Sequence, residues 1–143
     1  MKELSAGIIF VRNEQIFLAH ATETPRWDIP KGHVEPDELP ILTAIRECNE
    51  EIGFDVKSSD LKDLGKFVYT PKKDLHLFLY TGSEFPDIDK CYCTSYFFKG
   101  SRMVYEMDYF NYFDFSDIPH VTGSSMSGVL HQILKSEFNY EPL

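Results

Sequence analysis

The chain has 143 residues, of which 43% are hydrophobic and 15% aromatic, and this is ample apolar material for one core. Its formal net charge of -9 argues against general adhesion to nucleic acid, because that binding depends on cationic neutralisation of phosphates. No linker, repeat or low-complexity segment divides the sequence, so we expect a single domain over residues 1–143.

The sequence carries no signal for membrane insertion or export. Its apolar stretches are far shorter than a membrane span, and the residues after Met1 do not form a signal peptide. Cys48, Cys91 and Cys93 match neither a disulfide framework nor a zinc ligand set, so we expect reduced thiols, with Cys91 and Cys93 pointing the same way on a strand. We expect a cytoplasmic monomer or homodimer with no membrane partner.

Short alternating elements are predicted along the chain. Residues 4–12 and 15–20 are apolar enough to form two strands, joined into a hairpin by a turn at Asn13 and Glu14. A loop then leads into a predicted helix over residues 40–52. The later predicted elements are strands at 66–70, 75–81, 92–99 and 110–115 and a closing helix at 126–138.

Two of the later elements show clear burial patterns. Residues 75–80 are apolar almost throughout, as in a central strand. The closing helix has an apolar face made of Met126, Val129, Leu130, Ile133 and Leu134. The elements together predict an α+β fold with a helix on each side of a sheet.

The helix over residues 40–52 is predicted to have an apolar stripe on one side and a group of acidic residues on the other. The acidic residues are Glu47, Glu50 and Glu51, which spread over roughly 100° of the helix and are close enough at i,i+3 and i,i+4 spacing to converge. Such carboxylates repel one another, and a hard cation such as Mg²⁺ or Mn²⁺ suits their oxygen ligands. Arg46 is expected to orient one carboxylate from the flank. The apolar stripe consists of Ile41, Ala44, Ile45, Cys48 and Ile52.

A solvated acidic helix face is the alternative interpretation of these glutamates, since most charge-rich faces are only hydrated. Two glycines favour a site instead. Gly53 follows the helix where a left-handed residue is wanted, and Gly32 opens the preceding loop where backbone must approach a ligand closely. A plain surface helix needs neither glycine at a set distance.

These residues form one spaced pattern. Gly32 is followed after five residues by Glu38, and after seven more by the run Arg46-Glu47-Cys48-Asn49-Glu50-Glu51-Ile52-Gly53-Phe54. The pattern resembles the Nudix box, the signature of a superfamily that hydrolyses nucleoside diphosphates linked to another group. The resemblance implies an α/β/α sandwich with a mixed sheet between helices, and a hydrolase that acts on phosphorus anhydrides.

The resemblance also assigns roles within the box. In that family the glutamates that match Glu47, Glu50 and Glu51 coordinate Mg²⁺ or Mn²⁺, often with the backbone carbonyl that matches Lys31. Glu38 matches a glutamate that assists through water or through the box arginine. The implied reaction is attack of metal-activated water on a phosphorus, while a glutamate accepts the proton. The base varies between family branches.

A downstream acid often completes such a site, and Glu106 is its best match here. Glu106 precedes an aromatic strand, as in many members of the family, so we expect it to be a catalytic and metal-binding residue. Asp108, two residues away, is a rival. An ordinary surface loop acid is the alternative for either residue.

The box says little about the group attached to the diphosphate. Residues 27–35 look like the dinucleoside tetraphosphate hydrolases, so diadenosine tetraphosphate is the expected small-molecule substrate. Tyr69 lies near the position of a base-stacking tyrosine in that branch, whereas Pro71 lies near a proline of the ADP-ribose branch. The expected substrate-binding residues are Trp27, Lys31, Tyr69, Lys72 and Lys73.

Other functions stay open as alternatives. ADP-ribose, a dNTP or the 5′-polyphosphate end of RNA are alternative substrates, and a Nudix-fold binding module without turnover is an alternative of another class. Such modules usually have lost a glutamate of the pair that matches Glu50 and Glu51, and both are present here. We expect E51Q to abolish turnover and leave the fold intact, because the helical wheel places Glu51 on the exposed side.

Overall fold

The structure is a computed structural model, and it describes residues 2–142. The strands are β1 Glu3–Ile9, β2 Val11–Arg12, β3 Gln15–Ala21, β4 Trp27–Asp28, β5 Lys31–His33, β6 Leu61–Thr70, β7 Lys73–Tyr80, β8 Tyr96–Lys99, β9 Arg102–Tyr105 and β10 Met107–Asp114. The helices are α1 Pro40–Ile52, α2 Ile118–Val121 and α3 Ser124–Phe138. Within the described residues, no helix combines the length and hydropathy needed to cross a membrane.

One four-stranded sheet has the order β5-β1-β7-β6 and is mixed, because β1 runs parallel to β7 while the other pairings in this sheet are antiparallel. The prediction that residues 75–80 lie in a central strand is confirmed by β7, which has β1 and β6 as neighbours. A second sheet has the order β10-β3-β2, with β4 also paired to β3. Strands β8 and β9 form a separate hairpin.

The predicted hairpin between residues 4–12 and 15–20 is only partly correct. The turn at Asn13 and Glu14 is present, and both residues have positive φ angles, 53° and 60°. Only β2 pairs with β3 there, however, because the chain changes sheets at Phe10 and β1 pairs with β5 and β7. Five of the seven residues of β1 are buried, as expected of a strand that has partners on both edges.

The two sheets share apolar layers with helices on opposite sides. Alternate residues of β7 divide between the layers, since Leu75 and Leu77 pack with α3 whereas Phe78 packs with α1. The predicted apolar face of α3 is confirmed, because its five predicted residues are all at most 3% exposed. This arrangement is the predicted α/β/α sandwich, and it puts the acidic edge of α1 beside β5.

The prediction of a strand over residues 92–99 is wrong for its first half. Strand β8 begins only at Tyr96, and Cys91 and Cys93 lie in the loop before it, so they do not share a strand face. The loop has no strand partner because its backbone groups bond to the end of α1 instead. All three cysteines are free thiols, as predicted.

Candidate active site

Helix α1 begins and ends where the sequence predicts. Leu39 is the N-cap without a side-chain hydrogen bond, and Pro40 occupies the first turn, where its missing N–H costs nothing. Gly53 ends the helix in the left-handed conformation, with φ of 73°, and its N–H donates to the Asn49 carbonyl at 2.9 Å. The helix buries Ala44, Cys48 and Ile52 completely, so its rotation about its own axis is fixed and the glutamates point to one edge.

Arg46 joins three of the four box glutamates. Its Nε donates to Glu38 Oε2 at 2.8 Å, and its Nη1 donates to Glu47 Oε1 at 3.0 Å and to Glu50 at 3.3 Å. The guanidinium also donates to the His33 carbonyl at 3.2 Å. Arg46 therefore contacts three carboxylates at once and ties α1 to the loop that contains Glu38.

Glu38 is an acceptor at the centre of this network. The Arg46 hydrogen bond, with further bonds from the Thr43 hydroxyl at 2.7 Å and the Glu35 N–H at 3.1 Å, lowers the pKa of Glu38 to about 2. Hydrogen bonds to a carboxylate stabilise its charged form. Glu38 is thus held ionised as a structural acceptor for Arg46.

Glu51 is buried, which corrects the expectation that it lies on the exposed side of α1. It is 3% exposed, and its Oε1 accepts the Lys31 N–H at 2.9 Å. Burial raises the pKa of Glu51 well above its usual range, against the opposing charge of Lys31. The wheel placed Glu51 correctly relative to Glu47, but strand β5 covers this edge of the helix, and no property of α1 alone predicts that cover.

Glu47 shares this acidic environment. Burial and then repulsion from Glu50 raise the pKa of Glu47 to about 7, with Arg46 opposing the shift and Glu106 adding to it. The charge of Glu106 also raises the pKa of Glu51, so the Glu106 carboxylate lies within electrostatic reach of both. The sequence prediction that Glu106 joins the box glutamates has this proximity in its favour.

Asp108, the rival acid, has a different partner. Its Oδ1 lies 2.6 Å from His20 Nδ1, at the irregular position where the pairing of β10 with β3 shifts register between Met107 and Tyr109. An irregularity of this kind re-aims a side chain. Asp108 is therefore engaged by His20, and of the two acids it is Glu106 whose charge acts on Glu47 and Glu51.

Gly32 explains how Glu47 reaches its place. A Cβ atom added at Gly32 would lie 2.0 Å from Glu47 Cδ, so only a glycine leaves room for that carboxylate against strand β5. The sequence predicts that a ligand approaches the backbone at Gly32, and in this structure the group that comes close to it is the Glu47 side chain of α1.

The carboxylates are not arranged around a preformed metal position. Within residues 2–142, no three His, Cys, Asp or Glu side chains already surround a common point, because Arg46 and the Lys31 amide engage their oxygens. The donor set nevertheless fits a divalent cation. Glu47, Glu51 and Glu106 are mutually repelling oxygen donors, and hard divalent cations such as Mg²⁺ and Mn²⁺ take oxygen ligands of this kind.

The Lys31 side chain is bound within the protein. Its Nζ lies 2.7 Å from Asp28 Oδ2, and this pairing, with the field of Glu51, raises the Lys31 pKa although burial opposes the shift. Tyr69 lies beside the pair, since burial and then the charge of Asp28 raise its pKa. Trp27 precedes Asp28 on β4, with its ring 4.8 Å from that of Phe113. Three predicted substrate residues thus share one neighbourhood.

Lys72 and Lys73 lie further from the carboxylates. Lys73 is opposite Glu3 in the β1–β7 pairing, whereas Gly32 is opposite Ala6 in the β1–β5 pairing. Glu3 and Ala6 are three residues apart along β1, which corresponds to about 10 Å. The structure does not bring either lysine to the glutamates, and only an extended substrate would reach both.

Sequence reasoning missed two residues of the site. Asp28 pairs with Lys31, and Thr43, which is completely buried, donates to Glu38. A signal for Thr43 was available, because it is a polar residue beside the apolar stripe of α1, where a buried hydroxyl needs a partner. Asp28 carried no comparable signal.

Comparisons with known proteins give matches to one family. A family model of the NUDIX domain matches residues 1–90. A 17.7 kDa protein of Enterobacteria phage T4, from the e-segB intergenic region, is 41% identical over 93% of this chain and 96% of its own length. The asymmetrical bis(5′-nucleosyl)-tetraphosphatase of Sus scrofa is 45% identical over 42 residues, 29% of each chain.

Solved structures share the fold. An Ap4A hydrolase of C. elegans in a binary complex superposes with a TM-score of 0.64 at 18% identity, covering 95% of this chain and 99% of that one. Partial sequence matches also reach enzymes of other nucleotides, among them the m7GpppN-mRNA hydrolase of Saccharomyces cerevisiae, of which this chain spans 8%, and the 8-oxo-dGTP diphosphatase of Proteus vulgaris. With the intact box on α1 and the matched domain, the chain belongs to the Nudix hydrolase family.

Proposed function

We propose that this Nudix hydrolase is a metal-dependent pyrophosphohydrolase of dinucleoside polyphosphates such as diadenosine tetraphosphate. One observation carries the proposal. Three carboxylates, those of Glu47, Glu51 and Glu106, share one acidic neighbourhood, in which Gly32 leaves room for Glu47.

Glu47, Glu50, Glu51 and Glu106 would hold the cation, with the Lys31 backbone carbonyl as a further oxygen donor. Bound Mg²⁺ or Mn²⁺ would supply Lewis-acid polarisation of phosphate oxygens and lower the pKa of a coordinated water. Because Glu47 and Glu51 have raised pKa values, a cation would compete with protons for both. Only the backbone carbonyl of Lys31 would take part, because its side chain is paired with Asp28.

The protein's own groups have two tasks in the reaction. A carboxylate, from Glu50, Glu51 or Glu106, accepts a proton from the attacking water as the water oxygen forms a new bond to phosphorus. The bond from that phosphorus to the bridging oxygen breaks, and the leaving phosphate carries the electron pair away. Arg46 and Glu38 hold the carboxylates in position throughout.

The substrate assignment rests on the neighbourhood of Trp27, Lys31 and Tyr69. Tyr69 and Trp27 are half-buried aromatic residues next to the Asp28–Lys31 pair, and aromatic faces stack on nucleobases. The pig tetraphosphatase shares 45% identity with 42 residues of this chain. Both observations favour a nucleotide with a polyphosphate chain long enough to run from the carboxylates to these rings.

The test is a panel assay in Mg²⁺ and in Mn²⁺ with diadenosine tetraphosphate, ADP-ribose, dGTP and 5′-triphosphate RNA offered separately. We expect diadenosine tetraphosphate to be converted to ATP and AMP, as identified by chromatography. Preferred turnover of another substrate would overturn the substrate assignment and keep the reaction class. An absence of turnover for every substrate would favour a nucleotide-binding module.

A matched pair of variants tests the aromatic neighbourhood. Y69L should raise KM for diadenosine tetraphosphate about tenfold, because one stacked base contributes about 1–3 kcal/mol, and leave kcat little changed. F98L removes an exposed aromatic side chain of β8 and serves as the control. Equal KM values for Y69L and the unaltered protein would exclude Tyr69 from substrate binding.

A further inference from the structure

The loop before β8 binds the C-terminal end of α1. The Thr94 N–H donates to the Glu50 carbonyl at 2.8 Å and the Ser95 N–H donates to it at 3.3 Å. The Thr94 hydroxyl donates to the same oxygen at 3.3 Å. Carbonyls in the last turn of a helix lack an intrahelical partner, so residues 94 and 95 satisfy the carbonyl of a residue in the acidic cluster.

Tyr92, earlier in the same loop, also contacts the end of α1. The Tyr92 N–H donates to the Ile52 carbonyl at 3.1 Å. A Cβ at Gly53 would lie 2.7 Å from the Tyr92 ring, so the ring rests directly on the glycine that ends α1. The loop is therefore attached to α1 at two points, the carbonyls of Glu50 and Ile52.

The same loop fixes the backbone of Glu106. The Glu106 N–H donates to the Ser95 carbonyl at 3.0 Å, and the Glu106 carbonyl accepts the Thr22 N–H at 3.0 Å. Thr94 and Ser95 thus form a continuous connection from the Glu50 carbonyl to the Glu106 amide. Ser95 cannot shift along α1 without moving Glu106 relative to the glutamates of the helix.

We propose that Thr94 is a positioning residue that holds Glu106 against the acidic edge of α1, through the Glu50 carbonyl on one side and Ser95 on the other. This proposal rests on the proposed function, because it assigns Glu106 to the cation. Thr94 itself does not contact the substrate. Its hydroxyl fixes the distance between two parts of one ligand set that are 56 positions apart in the sequence, Glu50 and Glu106.

A general effect on stability is the alternative role for the Thr94 hydroxyl, and the chain offers a matched control. The Thr122 hydroxyl donates to the Ile118 carbonyl at 2.8 Å at the end of α2. T94V and T122V each remove one hydroxyl that caps a helix carbonyl and keep the side-chain shape. Only T94V alters the connection to Glu106.

The test measures Mn²⁺ binding to the full chain by calorimetry, without substrate, for T94V, T94S, T122V, E106Q and T94V/E106Q. We expect T94V to weaken Mn²⁺ binding about fivefold, the effect of losing about one hydrogen bond. T94S and T122V should bind as the unaltered protein does. In the E106Q background, T94V should have no additional effect, because Thr94 acts through Glu106.

Two results would overturn the proposal: equal Mn²⁺ affinity of T94V and T122V, or the same fivefold loss from T94V with and without Glu106. Hydrogen exchange on the unaltered protein provides a test that needs no variant. The amides of Thr94, Ser95 and Glu106 should exchange together and more slowly than those of residues 99–101 at the hairpin tip. Independent exchange of Thr94 and Glu106 would contradict the connection.

Failure of the proposed function has a different signature. The protein could bind Mn²⁺ with the expected pattern across the variants and still hydrolyse no nucleotide. That result would support the positioning role of Thr94 and contradict the proposed substrate class.

Discussion

At the scale of single residues, one arginine holds two glutamates whose pKa values shift in opposite directions. Arg46 donates to both Glu38 and Glu47. The pKa of Glu38 falls to about 2 because hydrogen bonds satisfy its charge, whereas the pKa of Glu47 rises to about 7 because burial and Glu50 outweigh Arg46. The site thus keeps one carboxylate as a fixed acceptor and another available for a cation.

The Glu47 shift predicts how stability depends on pH without metal. The unfolded chain loses this proton near pH 4.5 and the folded chain near pH 7, so the folded state binds more protons between these values. Its free energy of unfolding should fall as pH rises through that window. In EDTA at pH 8, E47Q should therefore be more stable than the unaltered protein by about 1–3 kcal/mol, as measured by urea unfolding.

Glu84, an exposed residue of the loop after β7, gives the control for E47Q, and E84Q should unfold as the unaltered protein does. A lower urea midpoint for E47Q than for the unaltered protein at pH 8 would show that Glu47 is stabilised in its ionised form.

The burial of Glu51 sharpens the prediction for E51Q. The amide oxygen of glutamine still accepts the Lys31 N–H, and the change removes a buried carboxylate whose ionised form is disfavoured. We expect E51Q to melt no lower than the unaltered protein and to lose at least about 100-fold in kcat, the range for loss of a general base. Normal activity of E51Q would remove Glu51 from the catalytic assignment.

At the scale of the element, the end of α1 depends on Gly53 for two physical reasons. Its φ of 73° disfavours any L side chain, and the Tyr92 ring occupies the space a Cβ would need. Gly65 in β6 has a similar φ of 88° with no atom near its Cβ position. G65A should lower the free energy of unfolding by about 1 kcal/mol, and G53A should lower it by more.

Thermal unfolding of both variants in the absence of metal measures this difference. If G53A and G65A lowered the melting temperature equally, the contact with Tyr92 would contribute nothing to the end of the helix. Y92A in the G53A background should recover part of the loss, since it removes the atoms that clash.

At the scale of the whole molecule, the family match ends at residue 90 but the fold does not. Strand β10 pairs with β3 along most of its length, and α3 supplies five buried residues to one apolar layer. A chain ending at residue 90 would leave the edge of β3 unpaired and expose that layer. We expect it to show no cooperative unfolding transition by circular dichroism.

A chain ending at Tyr140 is the control for this truncation, because it retains β10, α3 and the Tyr140 ring, whose centroid is 5.2 Å from that of Phe115. It should unfold cooperatively. A cooperative transition in the 90-residue chain would divide the molecule into two folding units and contradict the single domain that we predict.

The sequence by itself determined the features that depend on local spacing. The period of α1 placed Ala44, Cys48 and Ile52 in the core and the glutamates together on another side, and Gly53 marked its end, because helix geometry is set by neighbouring residues. The same reasoning predicted α3 and the turn at residues 13 and 14.

Only the tertiary structure decided which groups face one another across the chain. It buried Glu51 beneath β5, paired Lys31 with Asp28 and gave β1 its two neighbours. It also put Glu106 within electrostatic reach of Glu47 and Glu51, while Asp108 paired with His20. Each of these outcomes joins segments distant in sequence, and each depends on how apolar faces pack rather than on local preference. The predicted metal-binding residues of α1 could therefore be read from one helix, whereas the position of Glu106 relative to them depends on the assembled sheets.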